Sequence, residues 1–416
     1  MQYIHAKVTL EANFYGKLNP VELVEKYGSP LYVYSEQVLR ERCRDIKRLI
    51  RSPNFIVNYS AKANSNLTLL QIIRDEACCV DAMSPGEIYV QLQAGFKPEQ
   101  ILYICNNVSS EEMKYAIDQN IQVSVDSLSQ LELYGKVNPY SNIVARFNTG
   151  VGSGHHKKVI TGGEKTKFGI ESAYIPEIKN VLKKYHLRLI GINQHIGSHF
   201  MDIDAYISGV QSLLGIAEGF PDLEFIDLGG GFGIPYHKYE SERRLDLAAL
   251  SERLGIVLSN WVKSYGKQVT FKVEPGRYLV AECGILLGSV HTVKTNYRIR
   301  YVGTDLGFNV LMRPVLYDSY HDIEIYRRSN VQSQNQEAVT IVGNICESGD
   351  ILAAERKLPE IFEEDIIGVL DAGAYGYSMA SNYNNRLRPA EVLITNQGDD
   401  VLIRRRETLE DLLRYY

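Results

Sequence analysis

The chain has 416 residues, 45% of them hydrophobic and 23% charged, with a formal net charge of −5 and a pI near 6.0. That is ordinary globular material with room for two or three domains, and its mild acidity gives no electrostatic footprint for nucleic acid or an anionic membrane. No stretch reaches the roughly 18 apolar residues of a membrane span, and the charge-broken start "MQYIHAKVTLEANFYGKL" does not read as a signal peptide.

Six cysteines, Cys43, Cys78, Cys79, Cys105, Cys283 and Cys346, lack any C-x-x-C spacing. No zinc or redox motif is read from them, and scattered thiols suit a reducing, cytoplasmic setting.

In chain order, "PLYVYS" (30–35) predicts a strand. Ser35 is then placed to cap a helix, "EQVLRERCRDIKRLI", with Val38, Leu39, Cys43, Ile46, Leu49 and Ile50 near one face. "FIVNYS" is the next strand, followed by a helix around "LTLLQII". "CCVDAM", "ILYICN", "IQVSVD", "NIVARFN", "LIGINQHIG", "LEFIDLGGG" and "VTFKVEPG" continue the series, most separated by helical periodicity. Repeated βα units imply a parallel sheet, and this many in about 250 residues suit a closed (β/α)8 barrel over 30–282. An open dinucleotide-binding sheet is the weaker reading, because "GGGFGIPY" lacks the G-x-G-x-x-G spacing.

Beyond residue 283 the strand-like runs "GSVHTVKTN", "YRIRYVGTD", "HDIEIYRR", "EAVTIVGN", "DIIGVLDAG", "AEVLITN" and "DVLIRRRE" follow with little helix between them. They predict an all-β, sandwich- or barrel-like domain over 283–416, joined by residues 1–29. "SNVQSQNQE" (329–337) reads as a polar loop and "TLEDLLRYY" as a short terminal helix.

Barrel chemistry sits where strands end. "FIVNYSAK" offers Lys62; "CCVDAMSPGE" offers Asp81, Ser84 and Glu87; "GINQHIGSH" offers His195, Ser198 and His199; "FIDLGGGFG" offers Gly229, Gly230 and Gly231; "FKVEPGR" offers Glu274, Gly276 and Arg277. Each has a plain alternative: a snorkelling lysine, a satisfied histidine, a tight glycine turn, a glutamate–arginine ion pair. Together they fit pyridoxal phosphate. That cofactor needs a lysine for its Schiff base, a phosphate cradle, a group facing the ring and a carboxylate for the pyridine nitrogen. On this reading Lys62 lies inside the barrel end, and burial lowers its pKa and frees its amine to attack an aldehyde.

The motifs "YSAKAN", "HIGS", "DLGGGFGIPY", "EPGRYLV", "RPVLYDSYH", "CESGD" and "DAGAYGYSMASNYNNRLRPAEVL", with "TGGEKTKFGI" at 161–170, run nearly end to end. In that order they resemble the diaminopimelate decarboxylases, of the alanine-racemase-like class of pyridoxal phosphate enzymes. The resemblance implies Lys62 as the Schiff-base lysine and His195 stacked on the pyridine ring. Ser198, Gly229, Gly230, Gly231 and Gly276 would lie near the phosphate, with Pro275 beside them, and Glu274 on the pyridine nitrogen. Tyr375 would reach phosphate and substrate. Arg277, Arg313 and Tyr317 would bind the substrate carboxylate, while Cys346, as proton donor, and Glu347 come from the second subunit of a homodimer.

The implied reaction is decarboxylation of the D-configured centre of meso-2,6-diaminopimelate to L-lysine and CO2, through an imine between substrate amine and coenzyme aldehyde. The physics agrees. One carboxylate leaves and the other must be held, which two arginines do through bidentate bonds. A decarboxylase of simple diamines has no distal carboxylate, so Arg313 is the residue that most separates the two readings. Relatives acting on D-ornithine, D-lysine or a carrier-linked glutamate share the scaffold. A non-catalytic regulatory homologue would be expected to have lost the lysine, the glycines or the cysteine, all present here, and "CESGD" argues against a racemase. His199 and Val108 depart from residues common in the family, with Val108 where many relatives place lysine.

Overall fold

The computed structural model describes residues 2–52, 54–152, 161–163, 165–327 and 335–416; most of the predicted polar loop 329–337, and Glu164 of "TGGEKTKFGI", lie outside the described residues. The chain divides into two compact units. One comprises Arg40–Ile234 and Arg244–Leu279. The other comprises Met1–Leu39, Pro235–Arg243 and Val280–Tyr416.

The first unit is a closed barrel of eight parallel strands: Phe55–Ser60, Cys79–Ala82, Ile101–Ile104, Gln122–Val125, Asn142–Asn148, Arg188–Asn193, Phe225–Gly230 and Thr270–Glu274. Each pairs with the next, and Thr270–Glu274 closes the ring against Phe55–Ser60 through Val273 and Val57. Buried on both faces, the strands read as apolar runs rather than alternating ones. The helices between them start on side-chain caps. Asn66 accepts from the Thr68 N–H ahead of Leu67–Asp75, whose Leu69, Leu70, Ile72 and Ile73 are buried. Ser84 accepts from Glu87 N–H ahead of Pro85–Gln93, and Ser109 with Glu112 forms a reciprocal capping box. Because all eight strands run the same way, their C-terminal ends gather at one mouth.

The second unit is built on a ten-stranded sheet. All seven strand-like runs predicted beyond residue 283 form strands in it. Gln2–His5 and Ile351–Pro359 join them, neither anticipated. So does Leu31–Ser35, which the sequence reading placed at the head of the βα series. It pairs instead with Gly284–Leu287, antiparallel, and with Ala390–Ile394, parallel. Its five residues are all buried, so the local pattern suits either sheet. Helix Pro20–Tyr27 packs Val21, Leu23 and Val24 into a core with Leu31, Val33, Ile285, Leu287, Ile366 and Val392. The terminal helix is a single 3-10 turn, Glu410–Leu413. No described helix is long and apolar enough to cross a membrane.

Candidate active site

The barrel mouth assembles Lys62, Asp81, Glu87, Arg146, His195, Ser198, Gly229–Gly231, Asp227 and Glu274–Arg277 from the ends of successive strands. Lys62 departs from expectation. The strand ends at Ser60, and in the 3-10 turn that follows, Ala61–Ala63, the two alanines are buried while Lys62 is exposed rather than buried. Its ammonium still acts on the mouth: it opposes the raised carboxyl pKa values of Asp81, Glu87 and Glu274 and depresses that of His195. The turn is fixed from both sides. Ser60 N–H donates to the Pro275 carbonyl at 3.1 Å, the Ala61 amide donates to Asp81 at 3.2 Å, and Ser60 Oγ donates to Asp81 at 2.5 Å.

His195 accepts from the Gly230 N–H through Nδ1 at 3.2 Å, which leaves its proton on Nε2. Burial lowers its pKa well below the ordinary value, and the Lys62 and Arg146 cations push the same way. The ring is therefore neutral, as a stacking partner requires. Glu274 ends its strand buried, with Oε1 lacking a hydrogen-bond partner among the described residues. Burial raises its pKa well above the ordinary value; the facing Asp227 and Asp81 add to the rise, and Arg146 opposes it. Asp227, pushed up to about 6 by burial, receives the Gly229 N–H on Oδ1 at 3.0 Å. Two carboxyls this close in a dry site do not both ionise. A protonated ring nitrogen placed at Oε1 would satisfy the orphaned oxygen and relieve the cluster, so the residues present fit pyridoxal phosphate.

The glycine run has a second cause besides any phosphate. A Cβ on Gly230 would stand 1.7 Å from the Glu274 carbonyl oxygen. On Gly229 it would stand 2.3 Å from that of Gln194, and on Gly231 2.1 Å from that of Gly197. Backbones of neighbouring strand ends touch here, and Gly229 (φ +77°) and Gly231 (φ +99°) also sit in left-handed conformations. Arg277 begins the short helix Arg277–Val280 and donates from Nη2 to Ser198 Oγ at 2.9 Å. His199, one of the departures, holds φ +65° and bonds the Ile234 carbonyl through Nε2 at 2.8 Å.

Arg313, Tyr317, Cys346, Glu347 and Tyr375 belong to the other unit. Arg313 and Tyr317 open and close one helical turn, Arg313–Tyr317, a spacing that sets side chains over one another. Arg313 is only 1% exposed, and its guanidinium lies 4.8 Å from the Tyr236 ring centroid. Tyr375 holds φ +56°, an outlying conformation for an aromatic residue. The segment leading to it is anchored: Ala372 and Gly373 amides bond Gly284 and Ala281 carbonyls, and Asp371 pairs with Lys238, which also reaches Glu282. Such strain persists where the surroundings over-determine it. Cys346 and Glu347 are exposed on the loop 343–350. Asn384 Oδ1 accepts from the Cys346 N–H at 2.8 Å, Tyr383 Oη donates to Glu347 at 2.5 Å, and Asp350 takes the Ile345 and Phe308 amides.

Sequence reasoning missed Arg146 and Asp227. Arg146 stacks on Phe168 at 4.6 Å, and its Nη2 is buried without a partner among the described residues. Both are single charges inside apolar strands, "NIVARFN" and "FIDLGG", and that placement was the available signal.

Residues 36–281 match the family model described as pyridoxal-dependent decarboxylase, pyridoxal binding domain. The chain is 41% identical over 408 residues to a diaminopimelate decarboxylase of Methanothermobacter thermautotrophicus, covering 96% of this chain and 94% of that one. It is 34% identical to the Escherichia coli K12 enzyme of that name, with 95% of each covered. Its fold superposes with a TM-score of 0.87, at 31% identity and over 95% and 98% of the two chains, on the crystal structure of diaminopimelate decarboxylase from Helicobacter pylori complexed with L-lysine. With these matches spanning barrel and β unit alike, the chain belongs to the diaminopimelate decarboxylase family of pyridoxal-dependent decarboxylases.

Proposed function

We propose that this protein decarboxylates meso-2,6-diaminopimelate to L-lysine, the last step of lysine biosynthesis, with pyridoxal 5'-phosphate as cofactor, as a cytoplasmic homodimer. The observation that carries the reading is the barrel mouth, where a buried glutamate with one unbonded oxygen, a neutral histidine ring and an accessible lysine amine meet.

When bound, pyridoxal phosphate supplies an aldehyde for reversible attachment of amines and a conjugated pyridinium that accepts the electron pair left when CO2 departs. Lys62 would hold the aldehyde carbon, Glu274 the pyridine nitrogen and His195 the ring face. Ser198, Pro275, Gly276, Tyr375 and the amides of Gly229–Gly231 would surround the phosphate. Glu274, its carboxyl pKa raised by burial, would share a proton with the pyridine nitrogen and keep it there. Arg277, Arg313 and Tyr317 would grip the carboxylate that stays, and Glu347 the distal ammonium. Cys346 would deliver the proton that replaces the lost carboxyl. Its exposure in the single chain supports a role completed against a second copy.

The test is the absorbance spectrum of the purified protein with and without meso-diaminopimelate, together with CO2 release across a panel including D-lysine and D-ornithine. Lys62→Ala is expected to lose both turnover and the visible absorbance of the attached cofactor. If meso-diaminopimelate proves inert while another amino acid reacts, the substrate assignment falls.

A further inference from the structure

Within "RPVLYDSYH", one residue is left without a role by the site so far described. His321 is buried, 3% exposed. Its Nδ1 lies 2.7 Å from the Leu370 carbonyl oxygen, which can only accept, so Nδ1 carries the proton. Nε2 is then a lone pair, and it lies 2.7 Å from Nη1 of Arg313, which can only donate. The two bonds agree on one neutral tautomer.

The histidine is itself pinned. Leu370 N–H returns to the Asp322 carbonyl at 3.0 Å, and Arg356 donates to the His321 carbonyl at 3.1 Å. The Tyr236 ring meets the imidazole edge-on at 5.4 Å while lying under the guanidinium. His321 thus ties the turn carrying Arg313 to the strand end that leads, five residues on, to Tyr375.

We propose that His321 is a positioning residue that sets specificity for a substrate bearing a second carboxylate. It aims the Arg313 guanidinium through a neutral acceptor. A carboxylate in its place would fix the arginine equally well, but it would cancel the charge the substrate must find. The inference rests on the function proposed above, with Arg313 as a carboxylate binder.

The experiment uses the holoenzyme and three probes: meso-diaminopimelate turnover, L-lysine binding by calorimetry, and cadaverine, which has no carboxylate, as a competitor. His321→Phe removes the acceptor and keeps a flat ring. KM for meso-diaminopimelate and Kd for L-lysine are each expected to rise about tenfold or more, with kcat within about threefold and cadaverine affinity unchanged. His321→Gln, which can place an amide oxygen near the Nε2 position, is expected to restore most of both. Should the Phe variant fail to fold, His321→Asn, too short to reach Arg313, takes its place. Unmoved KM and Kd, an equal loss for cadaverine, or no recovery with Gln would overturn the inference. A wild-type protein inert toward meso-diaminopimelate would instead overturn the functional reading, and this inference with it.

Discussion

Gly230→Ala tests whether backbone contact at the barrel mouth dictates the glycine run. Gly230 pairs with Glu274 across the last two barrel strands, and an added Cβ would lie 1.7 Å from the Glu274 carbonyl oxygen. That is roughly 2 Å short of an ordinary contact. The obstacle is backbone, and both strands are buried, so no side chain can swing aside. Overpacking a dense interior costs about 1–3 kcal/mol in ordinary cases, and a clash of this depth belongs at or above the upper end. A loss of about 3 kcal/mol corresponds to a melting temperature lower by roughly 6–12 °C for a unit of this size. Gly215→Ala is the counterpart. It lies on the exposed side of helix Ile203–Ala217 with nothing within 4 Å of its Cβ position. Removing a helical glycine there should stabilise by about 0.5–1 kcal/mol. Urea and thermal unfolding of both variants, with cofactor absorbance read alongside, decide the matter. A Gly230→Ala protein as stable as wild type, losing only cofactor affinity, would refute the steric reasoning and return the glycines to the phosphate alone.

Asp81 predicts a pH effect on the protein stripped of cofactor. Burial pushes its carboxyl up to about 7, with Lys62 and Ser60 opposing, against about 3.9 in an unfolded chain. Across that window the folded chain keeps a proton the unfolded chain has released, so unfolding free energy falls as pH rises from about 4 to 7. Urea midpoints should decline accordingly, and Asp81→Asn should flatten the curve. Arg327 and Asp365 form a buried pair, with Arg327 Nη2 and Nε each 2.6 Å from a carboxylate oxygen. Arg327→Met should destabilise the β unit by about 3 kcal/mol or more by stranding the carboxylate. Arg327→Met/Asp365→Leu should cost clearly less, and equal costs in denaturant titrations would reject the pairing argument. Mixing Lys62→Ala chains with Cys346→Ala chains, each inactive alone, should restore turnover if a site draws on two copies; continued inactivity after verified subunit exchange rejects the shared site.

Most of the barrel and its mouth could be read in advance because buried parallel strands announce themselves as apolar runs, and chemistry follows their ends. The failures have local causes. Leu31–Ser35 is buried throughout, and nothing in five apolar or aromatic residues says which sheet receives them. Ile351–Pro359 escaped notice because Glu355, at φ +48°, breaks its alternation where the register against Gln336–Val342 slips. Lys62 was expected inside because its strand is. The strand ends at Ser60 as read, and the 3-10 turn that follows it leaves Lys62 exposed between two buried alanines. Arg146 and Asp227 went unweighed because one charge in an apolar run looks like an interruption.

The discontinuous β unit bears on how the chain is made. Leu31–Ser35 leaves the ribosome early, yet its two neighbours are Gly284–Leu287 and Ala390–Ile394. Closing loops of some 250 and 360 residues is the slow, entropy-limited part of folding. The barrel, drawn from a nearly unbroken stretch, can assemble meanwhile as a cotranslational intermediate. Leu31 to Ser35 stay without either neighbour until Gly284–Leu287 has been made, and with one edge open until Ala390–Ile394 follows, a five-residue sticky strand that a chaperone would be well placed to guard.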